Sequence, residues 1–166
     1  MVRKKNNDKT TRRDFIKKTS LLSTFFIVPR HVLGGVNYLA PSDQLAIAAI
    51  GIGGKGESDI FLASRKGKEK VIALCDVDSG DYTKWSRKKF PEAKFYEDFR
   101  VMLDKHPEID AVTISTPDHT HANAAINSME RNKHVYVQKP ISHNIRETRI
   151  MTEMARDKKV VSQMGN

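Results

Sequence analysis

Beyond residue 44 the apolar positions fall into short continuous runs, separated by stretches in which they recur every three or four residues. Leu45-Ala46-Ile47-Ala48-Ala49-Ile50 is six apolar residues closed by a glycine, and Val71 to Cys75, Ala111 to Ser115, His134 to Val137 and Val160 to Met164 repeat the form. Runs without alternation suit strands buried on both faces, as in a parallel sheet covered by helices. Between them, Ala122, Ala125, Ile126 and Met129 lie at i, i+3, i+4 and i+7, which predicts one apolar helical stripe, and Ile150, Met151, Met154 and Ala155 make a less regular second one. A further helix is expected from Glu57 to Lys66. Strands alternating with helices at this spacing imply right-handed βαβ units and an α/β, doubly wound parallel sheet. Trp85 and the group Tyr82, Phe90, Phe95, Tyr96 and Phe99 are expected to fill core and anchor loops.

The first 34 residues follow another pattern. They hold nine Lys/Arg against two acids, whereas residues 35–166 hold twenty against eighteen, so the net charge of +9 belongs mostly to a leader. A nearly neutral body argues against nucleic-acid binding, which needs cations clustered on the folded surface. The leader runs from a basic segment to the apolar stretch Leu21–Val28, the order of an export signal. Its segment Thr11-Arg12-Arg13-Asp14-Phe15-Ile16-Lys17 resembles the twin-arginine signal, which implies the twin-arginine translocase as a partner and a periplasmic or otherwise exported location. No apolar run approaches the ~18 residues of a membrane span. The organisation expected is leader 1–34, linker 35–43 and one α/β domain over 44–166. One cysteine, Cys75, excludes an internal disulfide and ends a buried strand, where packing suits it better than nucleophilic chemistry.

The chemistry begins where the first strand stops. Gly51-Ile52-Gly53-Gly54-Lys55-Gly56 fits G-x-G-x-x-G between a strand and a helix. Gly51 permits the tight turn, Gly53 lets a pyrophosphate approach bare backbone, and Gly56 lets helix and strand pack closely. The helix start then offers unpaired N–H groups to phosphates. Asp76 ends the second strand 25 residues after Gly51, in the place of an acid that accepts the adenosine ribose hydroxyls; Asp78 is a second candidate. An acid there disfavours a 2′-phosphate, so NAD is preferred over NADP, although Lys84, Arg87 and Lys88 leave NADP open.

In open parallel sheets ligands lie beyond the carboxyl ends of the strands. Thr116-Pro117-Asp118-His119-Thr120-His121 follows one such end and Gln138-Lys139-Pro140 another. His119 and His121 lack a third ligand nearby, so no metal is expected. His106, His134 and His143 show no partner in sequence and are expected on surface or loops.

Together, the glycine turn, Cys75-Asp76-Val77-Asp78, Thr116–Ala122 and Lys133–Pro140 resemble the N-terminal domain of the glucose–fructose oxidoreductase/inositol dehydrogenase (Gfo/Idh/MocA) family, over about residues 44–166. The resemblance implies an NAD(P)-dependent oxidoreductase that transfers hydride between a sugar, cyclitol or polyol derivative and nicotinamide. By resemblance Lys139, the lysine of an E-K-P motif, sits beside the nicotinamide and assists the proton, with Gln138 next to it, while Thr116, Pro117 and His121 line the cofactor cleft. Two departures stand out. The motif's glutamate is Gln138 here, which removes a carboxylate beside Lys139. The family's C-terminal α/β domain, which carries the substrate pocket and usually the oligomer interface, is expected beyond Asn166; on that reading the 166 residues are an inactive fragment and homo-oligomers belong to the full-length protein. Alternatives of the same fold are an NAD-dependent glycosidase or lyase and a non-catalytic nucleotide-binding remnant.

Overall fold

The computed structural model describes residues 40–166, and the twin-arginine reading therefore lies outside the described residues. From Ser42 to Asn166 the chain makes one compact unit. Six parallel strands, β1 (Ala46–Ile50), β2 (Lys70–Cys75), β3 (Lys94–Tyr96), β4 (Ala111–Ile114), β5 (His134–Val137) and β6 (Ser162–Met164), lie in the order β3-β2-β1-β4-β5-β6. The helices α1 (Lys55–Ala63), α2 (Lys84–Lys89), α3 (Phe99–Lys105), α4 (His121–Glu130) and α5 (Ile145–Lys158) connect them. The α/β doubly wound sheet expected from the apolar runs is the one observed.

Alternation within β1 explains both faces. Ile47 and Ala49 pack with Ile52, Ile60, Val71 and Leu74 beneath α1. Ala48 and Ile50 join Val112, Ile114, Val135 and Val137 against Met102 and Leu103 of α3, Ala122, Ala125 and Met129 of α4 and Met151 of α5. At roughly 1.5–3 kcal/mol per large apolar side chain fully buried, the two layers are the main favourable contribution to this fold.

Local signals set the helix ends. The Asn144 side-chain Oδ1 accepts the Glu147 amide at 3.0 Å while Glu147 Oε2 accepts the His143 amide at 3.1 Å, and α5 starts there. It stops at Lys159, whose left-handed backbone ends the run. The first helix is shorter than expected. It closes at Ala63 and not Lys66, because Arg65, Lys66 and Gly67 all take positive φ and turn the chain toward β2.

The apolar pattern overlooks β3. Only three residues long, it pairs Leu74 with Phe95 and Cys75 with Tyr96 at the sheet edge, so the strand ending at Met164 is the sixth and not the fifth. The expected aromatic core divides. Phe90, Phe95, Tyr96 and Phe99 pack against the two apolar clusters, but Tyr82 and Trp85 are exposed, Trp85 with its ring edge-on to Phe61.

Candidate dinucleotide site

Strand order reverses between β1 and β4, and the crevice opens there at the carboxyl ends. A cleft of about 630 Å³ is lined by Gly51, Gly53, Lys55, Asp76, Asp78, Tyr82, Glu97, Phe99, Ser115, Thr116, Pro117, His119 and Thr120, among others. Gly51 adopts φ +78°, and a Cβ on it would lie 2.7 Å from the Ser115 carbonyl and the Thr116 amide nitrogen. A Cβ on Gly56 would meet the Gly51 carbonyl. These two positions demand glycine for backbone reasons, one for its conformation and both for closeness. At Gly53 the neighbour is different: the exposed Tyr82 ring stands over the turn.

Three hydrogen bonds pin the turn from outside. The Gly51 amide donates to the Cys75 carbonyl at 2.8 Å, the Ile52 amide donates to Asp76 Oδ2 at 2.8 Å, and Ser86 Oγ of α2 donates to the Ile52 carbonyl at 2.6 Å. The Ile52 side chain is fully buried among Ile60 and Leu74. The Gly53 and Gly54 amides donate to no acceptor among the described residues, and Gly54 caps α1 without a side-chain bond. Bare, unpaired N–H groups at a helix start are what a pyrophosphate requires.

Asp76 does two jobs at once. Besides holding Ile52, its Oδ1 accepts the Asp78 amide at 3.1 Å. Each carboxylate oxygen keeps a further acceptor site, so two ribose hydroxyls could be received without breaking the turn. Asp78 is turned inward on its own loop, accepting the Gly80 amide at 2.6 Å. Of the cations that could meet a 2′-phosphate, Arg87 donates to the Ser79 and Gly80 carbonyls at 2.6 and 2.8 Å and lies over Phe95, and Lys84 faces Asp81.

At the far half of the cleft Thr116 and Pro117 form the wall, with His119 and Thr120 beside them. His121 lies behind that wall. It is 1% exposed, its Nε2 lies 2.7 Å from the Thr116 carbonyl and its Nδ1 2.6 Å from the Pro140 carbonyl, so it clamps the two strand-end loops together instead of facing the cleft. Lys139 precedes a cis proline, its side chain exposed at the end of β5 and without an ion pair among the described residues. Its backbone amide donates to Gln138 Oε1 at 2.8 Å.

Sequence reasoning missed Asp59. Buried on α1, it receives hydrogen bonds from Lys55 Nζ, from Ser115 Oγ at 2.7 Å and from Gln138 Nε2 at 2.9 Å. Burial pushes its pKa up, but those donors and the Lys55 charge outweigh burial and hold it below its ordinary value. Its contribution to stability is thus fully present above the usual carboxylate range and is lost as pH falls through the lowered pKa. The Lys55–Asp59 spacing of i, i+4 on a helix was the available signal. Ser86 and Tyr82 offered none, since both depend on how α2 packs over the turn.

The remaining single residues sort out simply. His106 is buried, not a surface residue: Nε2 meets Tyr96 Oη at 2.9 Å and Nδ1 meets Glu108 at 2.8 Å. His134 Nδ1 accepts the Val161 amide at 2.9 Å. Cys75 is 2% exposed, and burial together with the Asp76 and Asp98 charges pushes its thiol pKa up to about 12. We expect no alkylation of Cys75 by iodoacetamide at about pH 8 in the folded protein and full alkylation in denaturant, read by mass spectrometry; rapid labelling of the folded protein would contradict this burial.

Residues 45–166 match the Gfo/Idh/MocA model, an oxidoreductase family with an NAD-binding Rossmann fold, and the chain belongs to that family. It is 32% identical over 154 residues to a glycosyl hydrolase family 109 protein of Solibacter usitatus, covering 84% of this chain and 35% of that one. It is 28% identical over 124 residues to scyllo-inositol 2-dehydrogenase (NAD(+)) of Bacillus subtilis, covering 74% and 35%. Among solved structures, myo-inositol 2-dehydrogenase of Lactobacillus plantarum superposes with a TM-score of 0.66 at 26% identity, over 74% of this chain and 36% of that one. The chain spans about a third of the length of these relatives. It is the NAD-binding domain of this family. Among the described residues no helix is long and apolar enough to cross a membrane.

Proposed function

We propose that the protein binds NAD in the β1–β4 crevice and, in a chain of its relatives' length, oxidises or reduces a sugar, cyclitol or polyol derivative. The observation that carries this is the crevice itself, with unpaired Gly53 and Gly54 amides and with Asp76 in its wall; Lys139 stands outside that lining, exposed just past the end of β5 next to β4. Bound nicotinamide supplies the hydride chemistry. The protein's own residues do the rest. The turn amides take the pyrophosphate, Asp76 orients the ribose, the Thr116–Pro117 wall bounds the nicotinamide half, and Lys139 exchanges a proton with the substrate hydroxyl. Arg87 is committed to the Ser79–Gly80 loop, which favours NAD over NADP.

The leader's resemblance to a twin-arginine signal supports export to the periplasm by the twin-arginine translocase. A domain that folds around its cofactor suits that route.

A second reading has one specific support, the glycosyl hydrolase family 109 relative. An enzyme that oxidises a sugar transiently and then expels its substituent would use the same cleft and the same lysine, without net consumption of cofactor. Sustained NADH formation from a free polyol favours the dehydrogenase; release of an aglycone at constant NADH favours the glycosidase.

Parallel calorimetric titrations with NAD and NADP test the site. Wild-type protein is expected to bind NAD saturably and more tightly than NADP. Asp76→Ala should weaken NAD about tenfold or more, the worth of hydrogen bonds to a charged group, and NADP less, because the carboxylate no longer repels the 2′-phosphate. Asp76→Asn keeps an acceptor for the Ile52 amide and separates loss of the turn from loss of the ribose contact. Unchanged NAD affinity in both variants would remove Asp76 from the site.

A further inference from the structure

Gln138 is a buried carboxamide directly before Lys139, at a place where the family resemblance implies a glutamate. Its partner lies on another element. Gln138 is 7% exposed, and its Nε2 donates to Asp59 Oδ2 at 2.9 Å, the oxygen that also accepts Ser115 Oγ at 2.7 Å. Its Oε1 accepts the Lys139 amide at 2.8 Å, and its own amide donates to the Ile114 carbonyl at 2.8 Å. The carboxamide is therefore read at both ends, as donor toward α1 and as acceptor toward the lysine. A glutamate at 138 would set two carboxylate oxygens against each other at this distance in a buried place, where like charges cannot both persist. Asp59 in turn has its other oxygen on Lys55, in the glycine turn.

We propose that Asp59 and Gln138 are a matched pair, one carboxylate facing one carboxamide, and that Asp59, acting through Gln138, is the positioning residue for Lys139. The pair ties the helix that starts at the glycine turn to the peptide that carries the lysine. A glutamate at 138 is accommodated only opposite a donor at 59. This rests on the reading of Lys139 as the proton-exchanging group.

The two groups can be exchanged. When Asp59→Asn is combined with Gln138→Glu, the carboxamide placed on α1 donates to the carboxylate placed at the strand end, whose second oxygen still accepts the Lys139 amide. The oxygen of that α1 carboxamide accepts from Lys55, and the Ser115 hydroxyl, which both donates and accepts, turns to receive its second N–H. Gln138→Glu alone leaves two facing carboxylates.

The test uses Gln138→Glu, Asp59→Asn and the double exchange in a chain of the relatives' length, measuring melting temperature, NAD affinity, kcat and KM. Gln138→Glu is expected to melt on the order of 10 °C lower, as befits an uncompensated buried charge. Below its melting range it should keep NAD affinity within about threefold while kcat drops about tenfold or more, since general acid–base assistance depends on the lysine's placement. Asp59→Asn should be milder, because Lys55 is exposed and can turn away. The double exchange should recover most of both losses, a coupling that independent sites do not show. The proposal is overturned if the double variant is no better than Gln138→Glu, if Gln138→Glu behaves as wild type, or if the exchange restores melting but not kcat, which would make the pair purely structural. Should wild-type protein show no oxidoreductase turnover, it is the functional reading that fails; the pairing is then judged on melting, where the same recovery or its absence decides.

Discussion

Gly51→Ala is expected to lower the melting temperature of the protein by roughly 10–20 °C and to abolish NAD binding. Two separate penalties meet at this residue. Its φ of +78° is a conformation that alanine enters only at a cost of order 1–3 kcal/mol. Its new Cβ would also lie 2.7 Å from the Ser115 and Thr116 backbone, which unlike a side chain cannot swing away. Overpacking of that kind typically costs about another 1–3 kcal/mol. Together they take on the order of 2–6 kcal/mol from a domain whose whole stability lies near roughly 5–15 kcal/mol. At a few degrees per kcal/mol for this size, the shift follows. Binding is lost for a second reason. Relief of the clash moves β1 away from β4, and these are the two walls of the crevice. The comparison that isolates the backbone argument is Gly53→Ala, where the obstacle is the exposed Tyr82 side chain, so the fold should melt within a few degrees of wild type. Circular dichroism melts and calorimetric titration with NAD check both variants. A Gly51→Ala protein that melts and binds as wild type would mean that the turn does not approach β4 as closely as described.

That contrast also shows what the sequence could convey. Gly51 and Gly56 were legible because backbone closeness leaves few residue choices, so the motif states its own geometry; that Asp76 also holds the Ile52 amide was not. The sheet was legible where burial on both faces removed alternation, as in Ile47–Ile50. It was illegible at β3, a three-residue edge strand whose side chains are half-buried or exposed and leave no apolar run. Asp59 shows the deeper reason for what was missed. An acid on an amphipathic helix looks like solvated surface until the neighbouring strand ends are known to supply Ser115 and Gln138 as donors. The same holds for His121: the family resemblance implied a cleft residue, but the carbonyls that turn its ring away belong to Thr116 and to Pro140, 19 residues downstream. Local motifs specify the backbone of this site, whereas the polar network behind it depends on contacts between elements far apart in the chain.

On the proposed function, Lys139→Ala, made in a chain of the relatives' length, is expected to reduce kcat by about 10²–10⁴-fold, the ordinary worth of a positioned acid–base group, with NAD affinity unchanged within about threefold. The geometry separates the two effects. The turn amides, Asp76 and the Ser86 anchor lie at β1, β2 and α2, and none of their hydrogen bonds reaches Lys139. The lysine's backbone is fixed from two sides, by Gln138 Oε1 on its amide and by His121 on the Pro140 carbonyl, so truncating the side chain leaves the loop in place. What disappears is a single ammonium group at the end of β5. Arginine should not replace it. Lys139→Arg keeps the positive charge and reach, but a guanidinium does not release a proton near neutral pH, so a role in proton exchange predicts turnover nearly as low as in the alanine variant. A role in electrostatic binding alone predicts the opposite, with arginine restoring most of the activity through a lower KM. Steady-state kinetics on the alanine and arginine variants, with NAD titrated separately, therefore distinguish a lysine that moves a proton from one that only attracts substrate, and wild-type turnover in both would remove Lys139 from the reaction.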